Sequence, residues 1–164
     1  MALILVVLDS RSPAGRHVFE WRLSRACATL APVKVFLSYA DRDEKLAQSI
    51  RVEPEKVGFT VWDASTKLAP GDNWALELGK ALREADTMVV LLSPAALASD
   101  HVKREIEYAL GEPRFKGRLL PVVVRAVKEI PWILETLNVV RIESDPERGR
   151  RRVVEALKRI QNAA

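Results

Sequence analysis

The stretch SDHVKREIEYAL, Ser99 to Leu110, holds the residues most able to do chemistry. His101 and Glu105 stand four apart, one helical turn, so they share a stripe. That stripe borders an apolar one made by Val102, Ile106, Ala109 and Leu110. The stretch follows TMVVLLSP, an apolar run that reads as a buried strand. A carboxylate delivered to the end of a buried strand can stabilise positive charge that develops during a reaction. Partial burial would strengthen that effect.

Other chemistries lack their residues. No GxGxxG or GxxxxGK[ST] occurs, which excludes the standard dinucleotide and P-loop sites. The two histidines, His17 and His101, are far apart, and there is one cysteine, so no zinc site is expected. His101 and Glu105 alone are too few ligands for a metal. GxSxG is absent, and nothing local supports a Ser-His-Asp triad. Asp41 and Asp43 suggest a phospho-receiver, but that would need an aspartate after the third strand, where this chain has LLSP. One carboxylate is a sparse kit for most hydrolyses, which need an acid and a base. It suffices when the leaving group needs no proton. The cationic pyridinium of NAD is that case: nicotinamide leaves through an oxocarbenium-like state, which a negative charge beside the ribose stabilises.

The elements that must position these residues alternate from Lys34 onward. VKVFLSY (Val33 to Tyr39), FTVWD (Phe59 to Asp63), TMVVLLS, RLLPVVV and NVVRI read as strands. DEKLAQSIRVEPEKVG, NWALELGKALREAD, the Glu105 stretch and the basic ERGRRRVVEALKRI read as helices, and Pro94 suits a first helical turn. ASTKLAPGDNW is a loop with Pro70-Gly71 as its turn signal. Strands rich in Val, Leu and Ile suit a parallel sheet covered on both faces. The expected fold is therefore a doubly wound α/β domain, which binds ligands outside the carboxyl ends of its strands. Tyr39, Asp43, Asp63 and Ser93 all fall at such ends.

The bulk numbers set the frame. A chain of 164 residues, 48% apolar and 29% charged, can bury a core without staples. One cysteine excludes an internal disulfide and suits a reducing, cytoplasmic setting. The net charge of +4 gathers largely in the closing basic helix, read as a solvated face, so nucleic acid is not an expected partner. MALILVVLD lacks the basic region and cleavage site of a signal peptide, and no run approaches a membrane span. Residues 1–32 form an N-terminal extension, either a further strand and helix or a partly flexible segment. Residues 33–164 form the main domain.

Three segments together carry a family resemblance. VFLSYADRD (Val35 to Asp43) resembles the first signature box of TIR domains, the Toll/interleukin-1 receptor fold. GFTVWDASTKLAPGDNW resembles their second strand and BB loop. ADTMVVLLSPAALASDHVKREIEYAL resembles their third strand and following helix. The resemblance covers residues 33 to about 160. It implies a flavodoxin-like five-stranded parallel sheet ordered 2-1-3-4-5, with helices on both faces. It also implies one of two jobs. Many bacterial, plant and some animal members cleave NAD to nicotinamide and ADP-ribose or a cyclic isomer, with NAD as substrate and no cofactor. Others are adaptors that act through TIR–TIR contacts, including the BB loop, here 64–73 with Pro70 and Gly71.

By that resemblance Glu105 is the catalytic glutamate of the NAD-cleaving members. Tyr39 and Asp43 fall near the ribose pocket, and Trp74 falls beside the nicotinamide. His101 occupies the position of the family's tryptophan, a departure, and is counted with the substrate-binding residues. Each also has a plainer reading: Glu105 and His101 as helix-surface and structural residues, Trp74 as core, Tyr39 as strand-end packing, and Asp43 as a helix cap. Trp62 and Trp132 read as core or interface.

Overall fold

The computed structural model describes residues 32–63 and 73–163, which lie within a compact unit, Ala31–Ala164. The expectations for the N-terminal extension, for most of the 64–73 loop, and for Pro70 and Gly71 concern residues outside those described. Five parallel strands run β1 (Lys34–Ser38), β2 (Thr60–Trp62), β3 (Thr87–Leu92), β4 (Leu119–Val123) and β5 (Val140–Arg141), in spatial order β2-β1-β3-β4-β5. The helices are α1 (Glu44–Lys56), α2 (Trp74–Glu84), α3 (Pro94–Ala98), α4 (Asp100–Gly111), α5 (Trp132–Glu135) and α6 (Pro146–Asn162). This is the doubly wound arrangement expected.

Strand alternation divides the core into two layers. Phe36, Met88, Val90, Leu92, Leu119 and Val123 face α2, α3, α4 and α5, meeting Leu82, Ala96, Val102, Ile106 and Leu134. Val35, Leu37, Val89, Leu91, Leu120 and Val122 face α1 and α6, meeting Ala47, Ile50, Val153 and Leu157. Ser38, next in alternation after Phe36, is thereby turned toward the α4 side.

Local chemistry sets the boundaries. Gly58 has φ of 94°, in the left-handed region. It ends α1 with Gly58 N–H donating to Glu55 and Phe59 N–H donating to Pro54, both at 3.1 Å, and so starts β2 at once. Asn73 caps α2 by accepting from Leu76 N–H, and Asp145 caps α6 by accepting from Arg148 N–H. The far end of α2 is closed by Arg114, whose guanidinium donates to the carbonyls of Leu82 and Arg83. Gly149 lets α6 approach the chain leaving β5, because a Cβ there would overlap Ile142.

Three details depart from the reading of the sequence. The stretch after β3 is two helices, not one. Ser99 takes an extended backbone between α3 and α4, and this break sets the direction of α4. Leu110 is exposed, and Glu105 takes its place in the buried stripe with Val102, Ile106 and Ala109. Trp132 is 74% exposed on α5 and so is not core, whereas Trp62 stacks on Phe36 with ring centroids 5.0 Å apart.

Candidate active site

Three polar clusters meet at the carboxyl edge of the sheet. The first is built on Glu105. The break at Ser99 starts α4 beside the end of β1, and one turn later Glu105 enters the interior, only 5% exposed. Its Oε2 accepts a hydrogen bond from Ser38 Oγ at 2.5 Å. Burial pushes the Glu105 carboxyl above its ordinary value, because the charged form loses water. The Ser38 hydroxyl and the nearby His101 pull it part of the way back.

His101 bonds to groups on both sides of its ring. Its Nε2 lies 3.1 Å from the Tyr39 carbonyl, which can only accept, so Nε2 carries the hydrogen. Its Nδ1 lies 2.9 Å from Ser99 Oγ. His101 therefore ties the start of α4 to the end of β1. It also acts on Glu105 through space, favouring the ionised carboxylate.

The second cluster is Tyr39, Asp63 and Arg51. The Tyr39 hydroxyl donates to Asp63 Oδ1, and Arg51 Nη1 lies 3.5 Å from Asp63 Oδ2. Asp63 is fully buried at the end of β2. The third cluster is Asp43, Ser93 and Arg125. Asp43 is buried in the 3-10 turn before α1. Its Oδ2 accepts from Ser93 Oγ, and its Oδ1 accepts from Arg125 Nε at 2.9 Å. Ser93 Oγ in turn caps α3, accepting from Ala96 N–H at 3.0 Å.

The structure thus gathers Tyr39, Asp43, His101 and Glu105 around the segment that leaves β1. Both carboxylate oxygens of Asp43 are engaged by the protein. Trp74 opens α2, and its side chain lies outside those described. Sequence reasoning overlooked Ser38 as the partner of Glu105, although strand alternation from Phe36 pointed to its face. It also overlooked Arg125, the first charged residue after the apolar run LLPVVV, and Arg51. Among the described residues no group of three or more His, Cys, Asp or Glu side chains could hold a metal ion.

A family model for the TIR domain matches residues 35–154. The chain belongs to the TIR domain family. The Stimulator of interferon genes protein of Magallana gigas is 29% identical over 115 residues, covering 67% of this chain and 28% of that protein. A metazoan TIR-STING receptor from C. gigas, solved with 2′,3′-cGAMP, is 27% identical with a TM-score of 0.65, over 75% of this chain and 38% of that one. This TIR chain therefore spans a minor part of the length of either protein. The TIR domain of a Toll-related receptor from Hydra magnipapillata is similar in fold, with a TM-score of 0.64 at 17% identity over 77% of this chain and 97% of that one. Among the described residues no helix is long and apolar enough to cross a membrane.

Proposed function

We propose that this TIR domain is an NAD+ glycohydrolase, a defence effector that cleaves the bond between nicotinamide and ribose. The observation that carries the reading is Glu105, a carboxylate buried at the carboxyl edge and oriented by Ser38. As the glycosidic C–N bond breaks, its electron pair leaves with the pyridinium nitrogen. Nicotinamide departs neutral and needs no acid. The positive charge moves to the ribose, where ionised Glu105 stabilises it in a site with little water to screen the field. Water then adds to the ribose carbon and releases a proton, giving ADP-ribose. Attack by the substrate's own adenine gives a cyclic isomer instead.

Tyr39, Asp43, Trp74 and His101 belong to the substrate pocket in this reading, and NAD is consumed with no further cofactor. Self-association through TIR–TIR contacts that include the 64–73 loop activates the site, and other TIR or effector domains are candidate partners. The setting is cytoplasmic, with neither membrane nor nucleic acid as partner. The test is release of nicotinamide from NAD by purified protein, with rate per mole measured from nanomolar to high micromolar enzyme. Turnover that rises with concentration is expected. A strictly constant rate per mole would remove the self-association step, and no release at any concentration would remove the enzyme.

A second reading, a non-catalytic adaptor, draws on His101 in the tryptophan position and on the receptor names of the relatives. It predicts self-association with no nicotinamide release.

A further inference from the structure

We infer that Arg125 is a substrate-binding residue that grips a phosphoryl group of a dinucleotide. The inference rests on the glycohydrolase reading for its substrate class, but its own evidence is separate. Arg125 lies just past β4, beyond the bond from Val124 N–H to the Leu92 carbonyl. From there its side chain reaches across the end of β3 to Asp43, in the turn after β1. It therefore lies along the carboxyl edge itself. Glu105 is hung on the same segment of chain, at Ser38. The Cα atoms of Ser38 and Asp43 can be no more than about 18 Å apart, within the reach of one dinucleotide.

The way Arg125 pairs with Asp43 is informative. An arginine that serves only to neutralise a buried carboxylate does so best with its fork, two parallel N–H bonds to two oxygens. Here a single donor, Nε, meets Oδ1, and Ser93 takes Oδ2. Nη1 and Nη2 make no hydrogen bond to a described residue, and the side chain is 58% exposed while that of Asp43 is 1% exposed. Asp43 thus holds the guanidinium at Nε and leaves the four Nη hydrogens without a bond to a described residue, on a side chain more than half exposed. A planar, held, unbonded fork matches phosphoryl oxygens better than a mobile lysine would. Pre-positioning by Asp43 removes part of the ordering cost of binding. Exposed Arg42 in the same turn adds a second cation, and exposed Asp41 opposes it in part.

The experiment compares NAD with nicotinamide riboside, which has the same scissile bond and no phosphate. In Arg125→Gln the ratio of KM for NAD to KM for nicotinamide riboside should rise at least tenfold. Lys34→Ala, at the opposite end of β1 and touching neither Asp43 nor Arg125, should leave that ratio within twofold of the wild type. Parallel changes for both substrates in Arg125→Gln would overturn the assignment and leave Arg125 as a structural partner of Asp43. If Arg125→Gln does not fold, Arg125→Lys keeps the charge beside Asp43 but loses the fork, and the ratio should still rise more than twofold. An unchanged ratio there overturns the assignment too. Calorimetry with ADP-ribose decides the point without turnover. Should the wild type cleave neither substrate, the glycohydrolase reading fails. The phosphoryl site then stands only if ADP-ribose binds the wild type and binds the Arg125 variant at least tenfold more weakly. Equal affinity, or no binding by the wild type, overturns it.

Discussion

The two edges of the sheet treat polar groups in opposite ways. At the amino edge, charges stay in water: Lys34 and Glu84 pair at 2.8 Å with side chains 50% and 63% exposed. Among the described residues the buried polar side chain there is Thr87, a neutral hydroxyl that donates to the Arg118 carbonyl. At the carboxyl edge Ser38, Asp43, Asp63, Ser93 and Glu105 are all buried. Three of these are carboxylates. A buried carboxylate costs several kcal/mol unless partners satisfy it, and the fold supplies partners to each: Ser93 and Arg125, Tyr39 and Arg51, and Ser38. Stability alone does not ask for such groups, since well-packed apolar residues do as well or better. The carboxyl edge is thus organised to hold charge in fixed places, which is what a site of charge stabilisation needs.

The sharpest contrast should come from Asp63→Ala. It removes the carboxylate that accepts from the Tyr39 hydroxyl and that faces Arg51, so a loss of about 3 kcal/mol is expected from urea unfolding. A loss below about 1 kcal/mol would show that the carboxyl edge does not depend on its buried pairs.

Glu105→Gln should separate activity from stability. The amide can still accept from Ser38, but the charge is gone. Nicotinamide release should fall at least tenfold, about 1.4 kcal/mol in barrier. Because burial raises the folded carboxyl above its unfolded value, ionised Glu105 opposes folding. Its stabilising contribution is complete below the unfolded value and disappears as pH rises through the folded one. The variant should therefore gain on the wild type in unfolding free energy as pH rises through that window. A variant that loses stability at neutral pH, or keeps full activity, would contradict this account.

Ser38→Ala probes the same carboxylate more gently. Catalysis needs the ionised form, so the acid limb of kcat/KM should lie above the range of an ordinary glutamate. The Ser38 hydroxyl favours the ionised form. Its removal should move that limb to still higher pH, while the rate well above it changes less. A limb that stays in place would mean that Ser38 orients Glu105 without tuning it.

The smallest effect is expected at the amino edge. Lys34→Ala breaks a solvent-exposed pair, which screening and side-chain entropy leave with little net worth. Its urea midpoint should match that of the wild type, and a clear drop would erase the contrast between the edges.

Much of the site was legible because it follows strand periodicity. Val35 to Ser38 alternate between the two core layers, which sends Ser38 to the α4 side and leaves Tyr39 at the strand's end. Glu105 read as the edge of an apolar stripe because its neighbours Val102, Ile106 and Ala109 repeat at helical spacing. Its full burial was not legible. Helical spacing places a residue on a stripe, but the depth of that stripe depends on how the helix is seated. The break at Ser99 does that seating, and the sequence offers there only a serine before an aspartate. The roles of Arg125 and Arg51 were hidden for a similar reason: Arg125 meets a carboxylate 82 positions away, and Arg51 meets one beyond the turn into the next strand.

Read alone, the sequence yields the five strands in order, the parallel sheet with two covered faces, and the edge to which its strand-end polar residues are delivered. Those properties depend on local periodicity, turn chemistry and the uniform direction of parallel strands. Which polar groups share a hydrogen bond depends on tertiary packing. Ser38 with Glu105, and Asp43 with Ser93 and Arg125, are pairings across 67, 50 and 82 positions. Such pairings exist once neighbouring strands and their helices are packed, because packing alone brings those side chains within bonding distance and removes the water that would otherwise serve them.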